Sequence, residues 1–275
     1  DSYQRLVLDP FIRDYSNGLT PNPDVLCNSQ IKFGVFADFA RMHGADVIAT
    51  GHYARIIDGQ IMNGVDAGKD QTYFLWQTPC NVLPILRFPI GHLNKSEVRH
   101  IAQDVGLPVA QKKDSQGVCF IGELDMALFL RLRIPKIPGS LLNERGEIIG
   151  THDGVAFYTR GQRHGLGISA TNPLYVAERD PMNNTITVVE GRDHHALSSR
   201  GIEVRDLHAI LPFNDTECYA QIRYRGLRHR VRIDRDENDL LHVTTLDESF
   251  WAPERGQSCV FYRKKDNDFV LLGGG

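Results

Sequence analysis

Apolar residues recur at helical spacing early in the chain. Ile31, Phe33, Phe36, Phe39 and Ala40 fall on one side of a predicted helix that runs to about Gly44. Asn22 is a good N-cap for it, Pro23 suits the first helical position, and Asp24 favours the first turn. Asp46 to Tyr53 reads as a short buried strand ending at Gly51. Ile56 to Ile61 reads as a hairpin around Asp58-Gly59. Lys69-Asp70-Gln71 precedes an aromatic-rich helix predicted from Thr72 to Gln77. Asn94-Lys95-Ser96-Glu97 has capping-box form and opens a helix carrying Val98, Ile101, Ala102 and Val105, closed by Gly106 and Pro108.

The pattern changes after about Gly122. A short helix over 125–133 leads into a Pro- and Gly-rich stretch. Leu141-Leu142 and Glu147 to Ile149 then flank a turn at 143–146. Thr159 to Gly167 is a glycine-rich basic loop. From about Arg200 short alternating strands and frequent turns predict an all-β region. The boundaries expected are 1–120, 121–197 and 198–275.

Composition narrows the class without naming a function. The 275 residues are 41% hydrophobic and 24% charged, with a net charge of −3. That is ordinary for a globular protein with two or three cores. No apolar run reaches membrane-spanning length, and the opening residues lack a signal-peptide pattern. Five cysteines stand at 27, 80, 119, 218 and 259. Their odd number and wide spacing match neither a disulfide framework nor a zinc site, so no metal is expected and a reducing cytoplasm is.

Two cysteines have activating surroundings. Cys27 falls near the positive end of the predicted helix, where a thiolate is favoured. Asp24 can share its face, and its charge opposes the thiolate, so it suits proton handling or substrate orientation. The alternative is a helix cap followed by a buried structural cysteine. Cys119 follows Lys112 and Lys113, whose charge favours a thiolate; the alternative there is a solvated loop entering an edge strand. Gly51 sits where α/β sheets bind ligands, or is simply a turn.

The strongest local charge signal spans 219–233. Period-two alternation puts Arg223 and Arg225 on one strand face, and Arg228, Arg230 and Arg232 on one face of the next. Such a hairpin fits a phosphate backbone, with Tyr224 stacking on a base, or it is a charged edge that resists aggregation.

Seven stretches together resemble the bacterial-type tRNA-specific 2-thiouridylase family: 20–28, 49–53, 69–75, 113–122, 161–167, 222–225 and 256–262. The resemblance implies an α/β plus β fold: an incomplete adenine-nucleotide α-hydrolase-like (Rossmann-like) parallel sheet domain, a small central domain and a C-terminal β-barrel that contacts tRNA. It implies 2-thiolation of the wobble uridine, U34, with ATP (and Mg with it) adenylating the C2 oxygen. It makes Cys119 the persulfide carrier, loaded by a sulfur-relay donor protein, and Cys27 its partner, the two ending as a disulfide. Asn22, Pro23 and Asp24 would contact the target base, with Asp24 in acid/base work, and Gly51 would approach ATP. His52, Lys69, Asp70, Gln71, Arg223, Tyr224 and Gln257 match tRNA-contacting positions. A monomer is expected.

The chain departs from the family in two places. It has no Ser-Gly-Gly-Val-Asp-Ser-Ser pyrophosphate-binding run, so a further N-terminal segment is expected upstream of Asp1, and the 275 residues alone are expected to be inactive. His164 stands where the family usually has Lys. Two other readings compete: a tRNA-binding module without catalysis, and a dithiol redox protein. Fast labelling of Cys27 and Cys119 relative to the other three thiols would favour the readings that use both.

Overall fold

A computed structural model describes residues 2–111, 126–168, 170–213 and 216–275. The pair Lys112-Lys113 and Cys119 lie outside the described residues. The first part begins with a π-helical turn, Gln4–Leu8, continuing into the helix Asp9–Ser16. The predicted long helix is present, but it changes pitch: α over Pro23–Leu26, π over Cys27–Val35, and α again over Phe36–Met42. It buries Val25, Phe33 and Ala37 against Ile48, Leu86 and Phe88.

The strand before Gly51 is shorter than expected. Only Ile48–Ala49 is extended, paired in parallel with Leu86–Arg87. The hairpin forms as predicted, Ala54–Ile57 against Gln60–Asn63, with positive φ at Asp58 and Gly59. The aromatic stretch after Gln71 is a single 3-10 turn, Thr72–Phe74, rather than a helix to Gln77. The reason is tertiary: Tyr73 and Trp76 are drawn into the core, where Tyr73 Oη donates to the Ser258 carbonyl (2.9 Å) and Trp76 Nε1 to Ser258 Oγ (2.9 Å). The helix Lys95–Asp104 has the capping box, with Asn94 N–H donating to Glu97 (2.6 Å). Its apolar side is not buried among the described residues, since Ile101 is 49% and Val105 66% exposed.

Central strands form a four-stranded sheet in the order Ile148–His152, Gly139–Leu142, Thr185–Glu190, Leu174–Asp180, with the middle pair parallel. Leu141, Val176, Ile186 and Val188 fill its core with Val155, Tyr158 and Leu166.

The C-terminal strands build the largest sheet. Its order is Gly201–Val204, Leu241–Thr245, His229–Arg235, Glu217–Gln221, Val260–Lys265 and Asp268–Gly274, followed by the hairpin strands Gln60–Asn63 and Ala54–Ile57; His208–Ala209 pairs with Asp268–Gly274 from the side. Alternation directs Val231 and Ile233 inward and Arg230 and Arg232 outward. Inward residues from strands between 204 and 272 meet in one cluster around Phe250 and Phe261, so the sheet wraps that core. The first part therefore shares a sheet with the last: Met62 stands opposite Val270. No helix among the described residues is long and apolar enough to cross a membrane.

Candidate active site

Asn22 caps the long helix as its residue type predicts. It has extended backbone, and its Oδ1 accepts the Asp24 N–H at 3.1 Å. Pro23 occupies the first helical position and Asp24 the first turn. Cys27 follows at the α-to-π junction, with no exposed surface. Cys27 is thus buried while Cys80 is exposed, as in the alternative reading of a capped helix followed by a buried cysteine.

The residue after Cys27 is the centre of a buried hydrogen-bond network. Asn28 Nδ2 donates to the Phe74 carbonyl (3.0 Å), and its Oδ1 receives Lys32 Nζ (2.8 Å). An ammonium only donates, so this contact fixes the amide orientation, and the nearby His52 Nε2 (3.2 Å) must also carry a proton. His52 Nδ1 then accepts from the Thr50 hydroxyl at 2.7 Å. Phe33 and Phe88 flank the imidazole. Burial, with the Lys32 charge second, pushes its pKa down to about 3, so the ring is neutral. His52 is 6% exposed and presents no edge to a nucleic acid in this conformation. Gly51 beside it is exposed at the end of the parallel pair, where a Cβ would meet only Ile90 Cδ1 at 3.9 Å.

The 69–71 turn is held from two sides. Gln71 exchanges hydrogen bonds with the Tyr53 backbone (3.0 and 3.1 Å). Asp70 receives the Gly64 and Thr72 N–H groups and the Thr72 hydroxyl, and ion-pairs with Arg228. Lys69 is half-buried, its N–H donating to the Asp66 carbonyl at 3.0 Å.

The arginine hairpin differs from its sequence reading. The strand stops at Gln221, and Arg225 has φ of 60° in the connecting turn. Arg223 is turned inward, donating to the Ala252 (2.6 Å) and Arg160 (2.8 Å) carbonyls and lying over Trp251, with its pKa lowered by burial. Arg228 lies over Tyr262 and Phe269. Arg230 and Arg232 are exposed and share Glu217 (2.8 and 3.5 Å). Tyr224 packs on Phe74 (4.4 Å between centroids), with exposed Arg225 over its ring. The stripe fails because Gly226 and the left-handed Arg225 reverse the chain, and because three partner sites, two carbonyls and one carboxylate, draw Arg223 and Arg228 away from solvent.

Gln257 Nε2 donates to the Thr20 carbonyl at 2.6 Å, two residues before Asn22. The structure thus gathers Asn22, Pro23, Asp24, Cys27, His52, Gln71, Tyr224 and Gln257 through a continuous set of contacts. Sequence reasoning missed Asn28, Lys32, Phe74, Arg179 and Glu254, and it placed Arg228 on a phosphate-binding face rather than in the pair with Asp70. Only Asn28, adjacent to Cys27, carried a local signal. Among the described residues no group of three or more His, Cys, Asp or Glu side chains could hold a metal. A cleft of about 700 Å³ opens near Leu19, Arg145, Pro181, His195 and Arg255; Asp24 and Cys27 are not among its lining.

Three family models match in order along the chain. Residues 1–123 match the tRNA methyl transferase HUP domain, 127–190 the tRNA methyl transferase PRC-barrel domain, and 199–275 the aminomethyltransferase beta-barrel domain. The chain is 42% identical over 282 residues to the tRNA-specific 2-thiouridylase MnmA of Salmonella arizonae, covering 98% of this chain and 75% of that protein. It is 42% identical over 285 residues to the MnmA of Ralstonia nicotianae, covering 99% and 76%. The MnmA of Methylobacillus flagellatus is 40% identical over 285 residues, covering 99% and 78%. Identity of this extent across a HUP domain, a central barrel-type domain and a C-terminal β-barrel places the chain in the tRNA-specific 2-thiouridylase family.

Proposed function

We propose that this chain carries the sulfur-transfer and tRNA-binding parts of an enzyme that replaces the C2 oxygen of the wobble uridine, U34, with sulfur. The observation that supports this most is the placement of Cys27 one turn after Asp24 on an Asn22-capped helix, with the Asn28–His52–Thr50 network starting at the next residue. A thiolate is the reacting form of cysteine.

In this reading ATP supplies the activation of the C2 oxygen, making it a leaving group, and approaches at the open end of the parallel pair beside Gly51. Gly51 and the strand end fit that approach. The described residues provide no run of backbone N–H groups for its phosphates, so their contribution to nucleotide binding stops there. Cys119 brings the sulfane sulfur as a persulfide loaded by a donor protein. Its terminal sulfur bonds to C2 as the activated oxygen leaves. The Cys27 thiolate then attacks the Cys119 sulfur, the S–S bond breaks towards C2, and the electron pair leaves the base as C=S. The two thiols finish as a disulfide, which an external thiol reduces. Asp24 orients the base or takes up a proton, with Asn22 and Pro23 as further base contacts.

The tRNA contacts in this reading come from exposed Arg225 and from half-buried Lys69 and Tyr224. His52, Asp70, Arg223 and Gln257 support the residues that touch the tRNA. A flipped base costs a few kcal/mol of stacking, offset by contacts to the tRNA body. Nucleoside analysis of tRNA from cells that depend on this gene product tests the reading. 2-Thiouridine at the wobble position, lost on Cys27→Ser, is expected. A methylated nucleoside in its place would overturn it and favour the chemistry in the family models' descriptions. Intact tRNA binding without either product would leave the non-catalytic alternative.

A further inference from the structure

Thr20 is held at each of its polar atoms by another part of the molecule. Its N–H donates to the Arg255 carbonyl (2.9 Å), its carbonyl accepts Gln257 Nε2 (2.6 Å), and its hydroxyl receives Arg179 Nη2 (3.2 Å). Arg179 comes from the central sheet, whereas Arg255 and Gln257 come from the C-terminal barrel. Arg179 also donates to the Gly18 (2.9 Å) and Tyr158 (2.8 Å) carbonyls and pairs with Glu254 at 2.8 Å. Both side chains of that pair are at most 5% exposed. The other Glu254 oxygen receives the Arg160 N–H at 2.6 Å.

The close approach leaves no slack. Gly256 has φ of +85°, and a Cβ there would lie 2.9 Å from Leu19 Cβ and Thr20 N. Gly18 has φ of +76°, and its Cβ would lie 2.5 Å from Pro181 Cγ. Two residues beyond Thr20 stands Asn22, whose cap starts the helix bearing Asp24 and Cys27.

We propose that Arg179, Glu254 and Gln257 are positioning residues for Cys27. They pin the chain at Thr20 and so set the direction and register in which the capped helix presents Asp24 and its thiol. The barrel and the helix that carries the thiol, which also meet in the core, are thereby tied at the segment from which the helix departs. The catalytic part of this proposal rests on the reading of Cys27 as a reacting thiol; the mechanical part does not. It also gives Gln257 a role distinct from contact with the nucleic acid, because its amide is already committed to Thr20.

The test compares wild type with Gln257→Ala and Gln257→Glu, the second keeping the volume while losing the donor. The first readout is alkylation of Cys27 by a small maleimide, with exposed Cys80 as the internal reference. A wholly buried thiol reacts only through local opening. Loss of one hydrogen bond at the pin should therefore speed Cys27 labelling by several-fold to about tenfold in both variants, with Cys80 unchanged. The second readout is thiolation by the intact gene product, where kcat should fall by a similar factor while KM for tRNA stays within about twofold. Glu254→Gln should act in the same direction on both readouts. Faster Cys27 labelling in a protein that transfers no sulfur would support the pin and remove the proposed activity. Unchanged labelling with a raised KM and an intact kcat would overturn the proposal and make Gln257 a tRNA contact.

Discussion

Arg228 in the C-terminal barrel forms an ion pair with Asp70 in the first part of the chain, and both side chains are more than four-fifths buried. The guanidinium lies over Tyr262 and Phe269, while the carboxylate also receives two backbone N–H groups and the Thr72 hydroxyl. Removing one partner of such a pair leaves a charge in a poorly solvated place. Arg228→Ala is expected to lower unfolding stability by about 3 kcal/mol. Arg228→Ala with Asp70→Asn should lose less than the sum of the single changes, a coupling of about 1–3 kcal/mol by double-mutant cycle. Strict additivity would show that the pair contributes nothing.

The second buried pair makes a sharper case. Arg179 and Glu254 meet at 2.8 Å with at most 5% exposure. Arg179→Met strands the Glu254 carboxylate and should cost about 3–5 kcal/mol, read from denaturant midpoints. Arg179→Lys is not expected to restore it, because one ammonium cannot reach the Tyr158, Gly18 and Glu254 acceptors together.

His52 predicts a pH dependence. Its folded pKa is about 3, below the ordinary histidine value near 6.5. Between these values the unfolded chain binds the proton and the folded chain does not, so stability is full above about 6.5 and declines as pH falls towards 3. The loss accumulated between about pH 6.5 and 3 is on the order of a few kcal/mol. His52→Gln should flatten the slope of stability against pH across that interval. An unaltered slope would mean that His52 is protonated or solvated in the folded state.

Arg223 and Arg225 separate on tRNA binding. Arg225 is exposed beside Tyr224, whereas Arg223 is tied to the Arg160 and Ala252 carbonyls. Arg225→Ala should weaken tRNA binding at low salt and reduce the logarithmic salt slope by about 1. Arg223→Ala should instead lower thermal stability and leave that slope in place. The reverse pattern would restore the hairpin as a phosphate-binding stripe.

Local chemistry was legible in the sequence. Asn22-Pro23-Asp24 announced a helix start because capping involves only neighbouring atoms, and Asn94 with Glu97 did the same. The Asp58-Gly59 turn was legible for the same reason. What joins the parts was not. Met62 faces Val270, Arg228 reaches back to Asp70, and Gln257 to Thr20, all across well over a hundred residues with no pattern to announce them. The arginine alternation misled because Ile222 and Tyr224 continue a strand-like period past Gln221, whereas the backbone turns there. Cys27 was read either as a helix N-terminal thiol or as a buried cysteine behind a helix cap; its burial comes from packing by distant segments, which the local pattern does not decide. Cys119 lies outside the described residues, so its expected role stands on the family resemblance.

Peptide mapping after a single turnover tests the coupled-thiol account most directly. The intact gene product, with persulfide on Cys119, is mixed with ATP and tRNA, quenched with acid, and alkylated. The account predicts one Cys27–Cys119 disulfide for each 2-thiouridine formed, and neither product in Cys27→Ser. Thiouridine appearing at the wild-type rate while Cys27 remains a reduced thiol would contradict it.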